Sequence, residues 1–273
     1  MIISEVDGLP VRLQTGHDLS FLRRWGTVFR VLDDQDSGNL CFGVAGPRGR
    51  RFVKYAGAAT VRFEGLVDDA VAAAHRAATV YRELTHPTLV RLREAVEIGT
   101  GFALVFDWVD AVPLGRQYGQ SNRVAELTVP QRSTAVQQIY DFQTHAAMLG
   151  WVAVDLYDAS VLVDPRSGRV TLCDLDVYDR APMINRQGRM WGSTRFMSPE
   201  EFELGAVIDE VTNVVALGAL AHTFLGDDQT KDPHAWVGTD TQLAIAARAL
   251  DPVRERRWPS VAALADAWRP TTG

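Results

Sequence analysis

The hydrophobic period of this chain changes once, near Asp107, and that change limits the folds available to it. From Trp25 to Phe106 the apolar residues come in short runs, VFRVLDD, LCFGVA, RRFVKYA, LVRLREAVEI and FALVFDWV, which read as strands. Beyond Asp107 they fall mostly at helical spacing. Strands and helices segregated in this way predict an α+β fold, because a parallel α/β sheet would alternate the two along the chain. GPRG and Gly99-Thr100-Gly101 read as hairpin turns, so the strands form an antiparallel meander. One helix interrupts it. Val67, Ala70, Ala74, Ala77, Ala78 and Tyr81 share a helical face, and Thr85-His86-Pro87 ends the run. Five strands and one main helix make the first lobe.

The second lobe is mostly helical, with helices predicted over Pro130 to Leu149, Asp209 to Leu225, Thr241 to Leu250 and Ser260 to Trp268, the last capped by Ser260. Between the first two lie VAVDLYDASVLVD and RVTLCDLDVYD, short apolar strands around the turn Pro165-Arg166-Ser167-Gly168, each bracketed by carboxylates. A functional site is expected there.

Composition excludes several classes. With 28 basic against 34 acidic residues the formal charge is −6, so no global basic field recruits nucleic acid or anionic lipid, and neither is expected as a partner. Two cysteines, Cys41 and Cys173, are too few for a disulfide framework and suit a reducing cytoplasm. MIISEVDGLP carries acids where a signal peptide would carry positive charge, and the longest apolar run, Val214 to Ala221, is too short to span a bilayer. The six histidines show no paired ligand spacing, and His145 and His222 read as packing groups.

The chemistry-bearing residues each have an ordinary reading. Lys54, near the end of its strand, lies on the same face as Phe52 and opposite Val53 and Tyr55, and alone it is a surface lysine lying along apolar surface. Asp155, Asp158 and Ser160 could be turn and cap residues. Asp174 and Asp176 put two carboxylates on one side of a strand end, a set suited to a hard cation such as Mg²⁺ or simply to water.

Order and spacing change that balance. A lysine on the third strand, a helix ending in His-Pro, Asp155 in a loop after a long helix, Asp174 in a second loop 19 residues on, then Ser198-Pro199-Glu200, together resemble the eukaryotic-type protein kinase fold in its bacterial serine/threonine kinase-like branch. The segments that carry the resemblance are GFALVFDWVDAVPL, WVAVDLYDASVLVD, CDLD, WGSTRFMSPEE and IDEVTNVVALGAL, and they cover nearly the whole chain. It implies one bilobal domain over residues 1–273, with a five-stranded N-lobe over about 1–106, a hinge over about 106–112 and a mostly helical C-lobe over about 113–273. It further implies ATP and Mg²⁺ as cofactors and phosphoryl transfer to a protein serine or threonine hydroxyl. Lys54 would hold the α- and β-phosphates, Asp155 would accept or orient the acceptor proton, and Asp174 would bridge Mg²⁺ to the phosphates. Ser160 stands where a second metal ligand is usual. Phe106 would be the gatekeeper, and the backbone of Asp107 and Val109 would bond the adenine edge. Glu200 and Arg257 would form a buried structural pair.

The pattern also departs from the family. Asp33-Asp34-Gln35-Asp36-Ser37-Gly38-Asn39 has one glycine and three acids where a glycine-rich loop would cover phosphates, and Ala77 stands where a helix glutamate would pair with Lys54. Of the nearby acids Glu64, Asp69 and Glu83, the last faces elsewhere on the helix. Phe52 replaces a small residue beneath the adenine. Ala153 and Val154 replace the His-Arg pair before Asp155, which removes the arginine that reads a phosphorylated activation loop. Asp176 replaces the glycine of the metal motif, so the second metal ligand could move to that loop, and Asn213 replaces an aspartate that braces the catalytic loop. Alternatives to the phosphotransferase are a scaffold pseudokinase with weak or no nucleotide binding and a small-molecule kinase of related fold.

Overall fold

In the computed structural model, which describes residues 1–272, the strand-rich part of the sequence opens with a hairpin that the periodicity reading omits. Strands β1 (Ile2–Val6) and β2 (Leu9–Leu13) pair antiparallel around Asp7-Gly8. Asp7 (φ 49°) and Gly8 (φ 80°) are both left-handed, the backbone that a two-residue hairpin turn requires, and Asp-Gly is among its strongest sequence signals. The hairpin is therefore legible in the sequence.

The meander continues as β3 (Thr27–Leu32), β4 (Asn39–Gly46) and β5 (Gly49–Ala56), then helix α1 (Val67–Glu83), then β6 (Leu92–Ile98) and β7 (Gly101–Asp107). These strands form one antiparallel sheet in the order β3-β4-β5-β7-β6, with α1 packed on β5 and β7. One face carries Leu40, Phe42, Val44, Val53, Tyr55, Ala103 and Val105, buried against Val11 and Leu13 of the hairpin and Leu22. Each large apolar side chain among them contributes about 1.5–3 kcal/mol on leaving water. The hairpin is also pinned by polar bonds. Asp7 accepts the Val28 N–H at 2.7 Å, and Asp33 accepts the Arg12 N–H at 2.7 Å. This compact unit comprises Met1–Thr85 and Val90–Val109.

The second unit comprises His86–Leu89 and residues from 110 onward. It contains β8 (Val112–Pro113), α2 (Val129–Met148), β9 (Trp151–Val152), β10 (Val161–Val163), β11 (Val170–Leu172), β12 (Asp179–Arg180), β13 (Met183–Ile184), β14 (Val207–Ile208), α3 (Glu210–Leu225), α4 (Asp240–Ala249) and α5 (Val261–Trp268). The four helices start within a residue or so of the sequence expectation because each N-cap is encoded. Thr128, Asp209, Thr239 and Ser260 each accept a backbone N–H from the first turn that would otherwise go unpaired. Helix α2 packs on α3 and α5, with the Tyr140 hydroxyl donating to the Leu217 carbonyl at 3.1 Å and the Trp268 indole N–H to the Ser133 carbonyl at 3.1 Å. No helix among the described residues is long and apolar enough to cross a membrane.

Candidate functional site

In the first unit, alternation along β5 acts as expected. Val53 and Tyr55 are buried in the core, whereas Phe52 and Lys54 are half-buried on the opposite face. Lys54 lies across from Cys41 on β4 and Leu104 on β7, and Phe52 across from Gly43 and Phe106. Phe106 is buried, with its ring edge-on to Tyr81 of α1 at 4.7 Å. The Asp107 N–H donates to the Arg91 carbonyl, and its carboxylate takes Arg93 at 2.7 Å and Arg51 at 3.0 Å, which holds it below the usual carboxylate range. Val109, half-buried, closes the unit. Ala77, at the position of the missing glutamate, is completely buried on α1.

The acidic stretch after β3 is not the bare negative loop its sequence suggests. Asp33 is buried, and besides the Arg12 N–H it takes the Arg12 guanidinium at 2.6 Å, which keeps its carboxyl ionised against the cost of burial. Asp34 meets Arg62 at 3.1 Å and Arg12 at 3.5 Å. Asn39 at the end of this stretch is buried and opens β4.

In the second unit the two carboxylates singled out by sequence share an unusual backbone. Asp155 (φ 57°) and Asp174 (φ 63°) are left-handed, as are only Asp7 and Lys231 among the other described residues that are not glycine. Strand β9 ends at Val152 and β11 at Leu172, before either residue, so both acids sit in loops. The two-residue alternation that would have put Asp174 and Asp176 on one side therefore does not reach them. Asp174 is exposed and Asp176 half-buried, with Leu175 between them completely buried. Asp155 is half-buried beside Gly192, where an added Cβ would lie 3.5 Å from its Oδ1. Asn213 braces the loop as the substitution permits. Its Oδ1 accepts the Ala153 N–H at 2.8 Å and its Nδ2 donates to the Ala153 carbonyl at 2.6 Å.

Tyr157 sits between these acids in sequence and in field. Burial first, then the charges of Asp155 and Asp174, push its phenol well above the ordinary value, so the hydroxyl keeps its proton. Asp158 next to it is buried, and burial raises its carboxyl although Arg195 bonds its Oδ2 at 3.0 Å. Arg195 also bonds Asp228, which in turn holds Arg116, and Lys231 donates to the Asp228 carbonyl. Sequence reasoning misses this ion network because its arginine links span 33 to 112 residues with no local pattern. Glu200 and Arg257 form the buried pair expected of them, at 2.6 and 3.0 Å, with Arg254 adding a third bond at 2.8 Å. Trp191 is 67% exposed, whereas Trp151 is buried beneath the Arg180 guanidinium at 3.9 Å.

The donor set suits a cation held partly by its ligand. Among the described residues no three His, Cys, Asp or Glu side chains gather into a metal cage. Ser160 Oγ, however, is buried without a hydrogen-bond partner, as is Asp158 Oδ1. Mg²⁺ ordinarily takes one or two carboxylates and completes its shell with phosphates and water, so these loops fit that ion better than an all-protein site.

No family model matches the chain. Over 184 residues it is 30% identical to the serine/threonine-protein kinase PkaA of Streptomyces coelicolor, across 65% of this chain and 32% of that protein. The relationship is kinase-like. The chain spans about a third of the length of the relative it matches.

Proposed function

We propose that this chain is a bilobal kinase-like domain, residues 1–273, that transfers phosphate from Mg·ATP to a serine or threonine hydroxyl of a protein. The lobes would be residues 1–106 and 113–273, joined by a hinge over 106–112. The observation that carries the reading is the left-handed backbone at both Asp155 and Asp174. Outside glycine this conformation is uncommon, aspartate being among the residues that adopt it most readily, and Asp155 and Asp174 take it in loops that end short strands rather than in a hairpin turn such as that of Asp7. The two acids stand out on order and spacing alone, and the backbone conformation is independent of that pattern.

Each residue then has a task. The migrating phosphoryl group gathers negative charge, so the site must supply cations and a positioned hydroxyl rather than a strong base. Lys54 holds the α- and β-phosphates. Asp174, with Ser160 or Asp176, holds Mg²⁺, which when bound neutralises phosphate charge. Asp155 takes the proton of the acceptor hydroxyl as the acceptor O–P bond forms and the bond to the leaving ADP breaks. Phe106 sets the depth of the base site, and the backbone of Asp107 and Val109 bonds the base edge. A second reading, a scaffold that binds nucleotide weakly, is favoured by the aromatic side chains on the Lys54 face of the sheet, Phe52 and Phe106 with ring centroids 6.4 Å apart.

The test is incubation of the protein with Mg·ATP and candidate protein acceptors, tracking ADP release and phosphate incorporation by intact mass. Turnover should vanish in Asp155→Ala while nucleotide binding persists, and Lys54→Ala or Asp174→Ala should lose binding. Unchanged turnover in Asp155→Ala would overturn the assignment.

A further inference from the structure

Gly43 is where the first unit brings backbone and aromatic rings closest together on the Lys54 face. A Cβ added there would lie 2.7 Å from Phe29 Cζ and 2.8 Å from Trp108 Cζ3, closer than real side chains approach. A larger residue there would have to displace one or both rings, so glycine is what lets them lie so close to the backbone. The Trp108 and Phe29 rings meet edge to face at 4.9 Å, and Phe52 stands 6.5 Å from Trp108 on the other side. The Trp108 backbone N–H donates to the Arg50 carbonyl at 3.3 Å, which fixes the chain where it leaves β7. The indole is half-buried, with the Cζ3 edge of its ring over the place where Gly43 leaves no side chain.

This surface is also where a nucleobase would lie, given the phosphotransfer reading on which the inference rests. Phe52 and Lys54 share a face of β5, and residues two apart on a strand are separated by about 7 Å. With the phosphates at Lys54 and the base edge on the backbone of Asp107 and Val109, as that reading has it, the base lies at the Phe52 end, because Phe52 pairs with Phe106 and Arg51 with Asp107. We propose that Trp108 stands in for the nucleobase: its indole occupies the stacking face over Gly43 and beside Phe52 in the resting protein, and a nucleotide binds only when that ring leaves. Nucleotide affinity is then the intrinsic affinity multiplied by the fraction of molecules with the ring displaced. Two ring contacts are enough to hold that fraction near a tenth or below.

The experiment is calorimetric titration of wild type, Trp108→Ala and Trp108→Phe with two probes, adenosine alone and ATP with Mg²⁺. Adenosine should bind Trp108→Ala about tenfold or more tightly than wild type, with Trp108→Phe between them. Equal or weaker adenosine binding in a Trp108→Ala protein with wild-type circular dichroism overturns the proposal, as does absence of binding to all three proteins. If Trp108→Ala does not fold, the sign of the change in Trp108→Phe decides. The two ideas fail separately. Tightened adenosine binding with no added gain from the triphosphate, and no loss in Trp108→Ala/Lys54→Ala, leaves the occluding indole standing and refutes phosphotransfer. Unchanged adenosine binding, with Mg·ATP affinity that falls in Lys54→Ala, refutes the occlusion and leaves the phosphotransfer reading in place.

Discussion

Asn213→Ala tests whether the loop bearing Asp155 is held by a single side chain. Asn213 and Ala153 are both buried, and the amide satisfies both polar groups of Ala153, accepting at 2.8 Å and donating at 2.6 Å. Alanine would leave one buried N–H and one buried C=O without these partners. Each such group costs about 1–3 kcal/mol, so the expected loss is about 2–6 kcal/mol, the lower end applying if water enters the gap. Urea unfolding by circular dichroism should show a lower midpoint at unchanged slope, which identifies a change of stability rather than of the surface exposed. Asn213→Asp isolates the donor. Its carboxylate could still accept from the Ala153 N–H but would face the Ala153 carbonyl, so the folded state favours the protonated acid and raises its pKa above the unfolded value of about 3.9. A raised folded pKa means stability that is complete below pH about 4 and lost as pH rises through the folded value. Asn213→Asp should therefore lie nearer wild type at pH about 4 than at pH about 8. An Asn213→Ala protein within about 0.5 kcal/mol of wild type, or an Asn213→Asp protein without that trend, would refute the bracing role.

Burial and charge make further changes measurable. Arg257→Met removes two of the three charged hydrogen bonds to buried Glu200 and leaves Arg254 as its partner. The loss should therefore fall below that of a fully broken buried pair, about 3–5 kcal/mol, and approach it in Arg254→Met/Arg257→Met, readable as lower urea midpoints. Burial pushes the Glu201 carboxyl up to about 7, so its contribution to stability is complete below the unfolded pKa of about 4.5 and is lost as pH rises toward 7. Glu201→Gln should flatten that slope and gain about 3 kcal/mol relative to wild type at pH about 8 compared with pH about 4, measured by unfolding across the range. Arg62→Ala removes the nearer of the two arginines that meet Asp34 and should weaken Mg·ATP binding at low salt, with the difference shrinking toward about 1 M salt as exposed charges are screened. An equal effect at both salt concentrations would point to lost packing instead.

The features legible in the sequence are those written locally. Helix α1 shows its buried Ala and Tyr stripe directly, and α2, α3 and α5 announce their starts through Thr128, Asp209 and Ser260. The β1–β2 hairpin is equally local, an Asp-Gly pair between two alternating runs, but reading MIISEVDGLP only for the charge of a leader peptide passes over it. The left-handed backbone at Asp155 and Asp174 has no such signature, because tertiary packing rather than neighbouring residue types fixes φ there. Nor does the Asp158, Arg195 and Asp228 network, whose partners meet only after the chain folds. The negative loop misleads for the same reason. Residues 33–39 alone count three acids, while Arg12 lies 21 residues before Asp33 and Arg62 lies 28 residues after Asp34.

These two arginines alter how the departures from the kinase pattern combine. With Arg12 and Arg62 counted, the stretch carries a net charge near −1 rather than −3, and Asp33 is turned inward against Arg12 instead of outward. Its repulsion of a triphosphate is accordingly that of one exposed acid in a high dielectric, about 1 kcal/mol per phosphate charge at contact distance and less in salt or with Mg²⁺ bound. A filled stacking face acts independently of that charge, since the ring must leave before any base contact forms and every nucleotide meets that cost whatever its phosphates do. Residues of the first unit, Trp108 and Phe52 above all, should therefore govern whether nucleotide binds. In the second unit Asp174 should contribute to Mg·ATP binding through the cation, and Asp155 should govern the chemistry once nucleotide is bound. On the proposed reading, an altered base surface in one unit beside Asp155, Asp174 and a bracing Asn213 in the other makes nucleotide access, rather than the transfer step, the part of the reaction that the departures from the family pattern restrict.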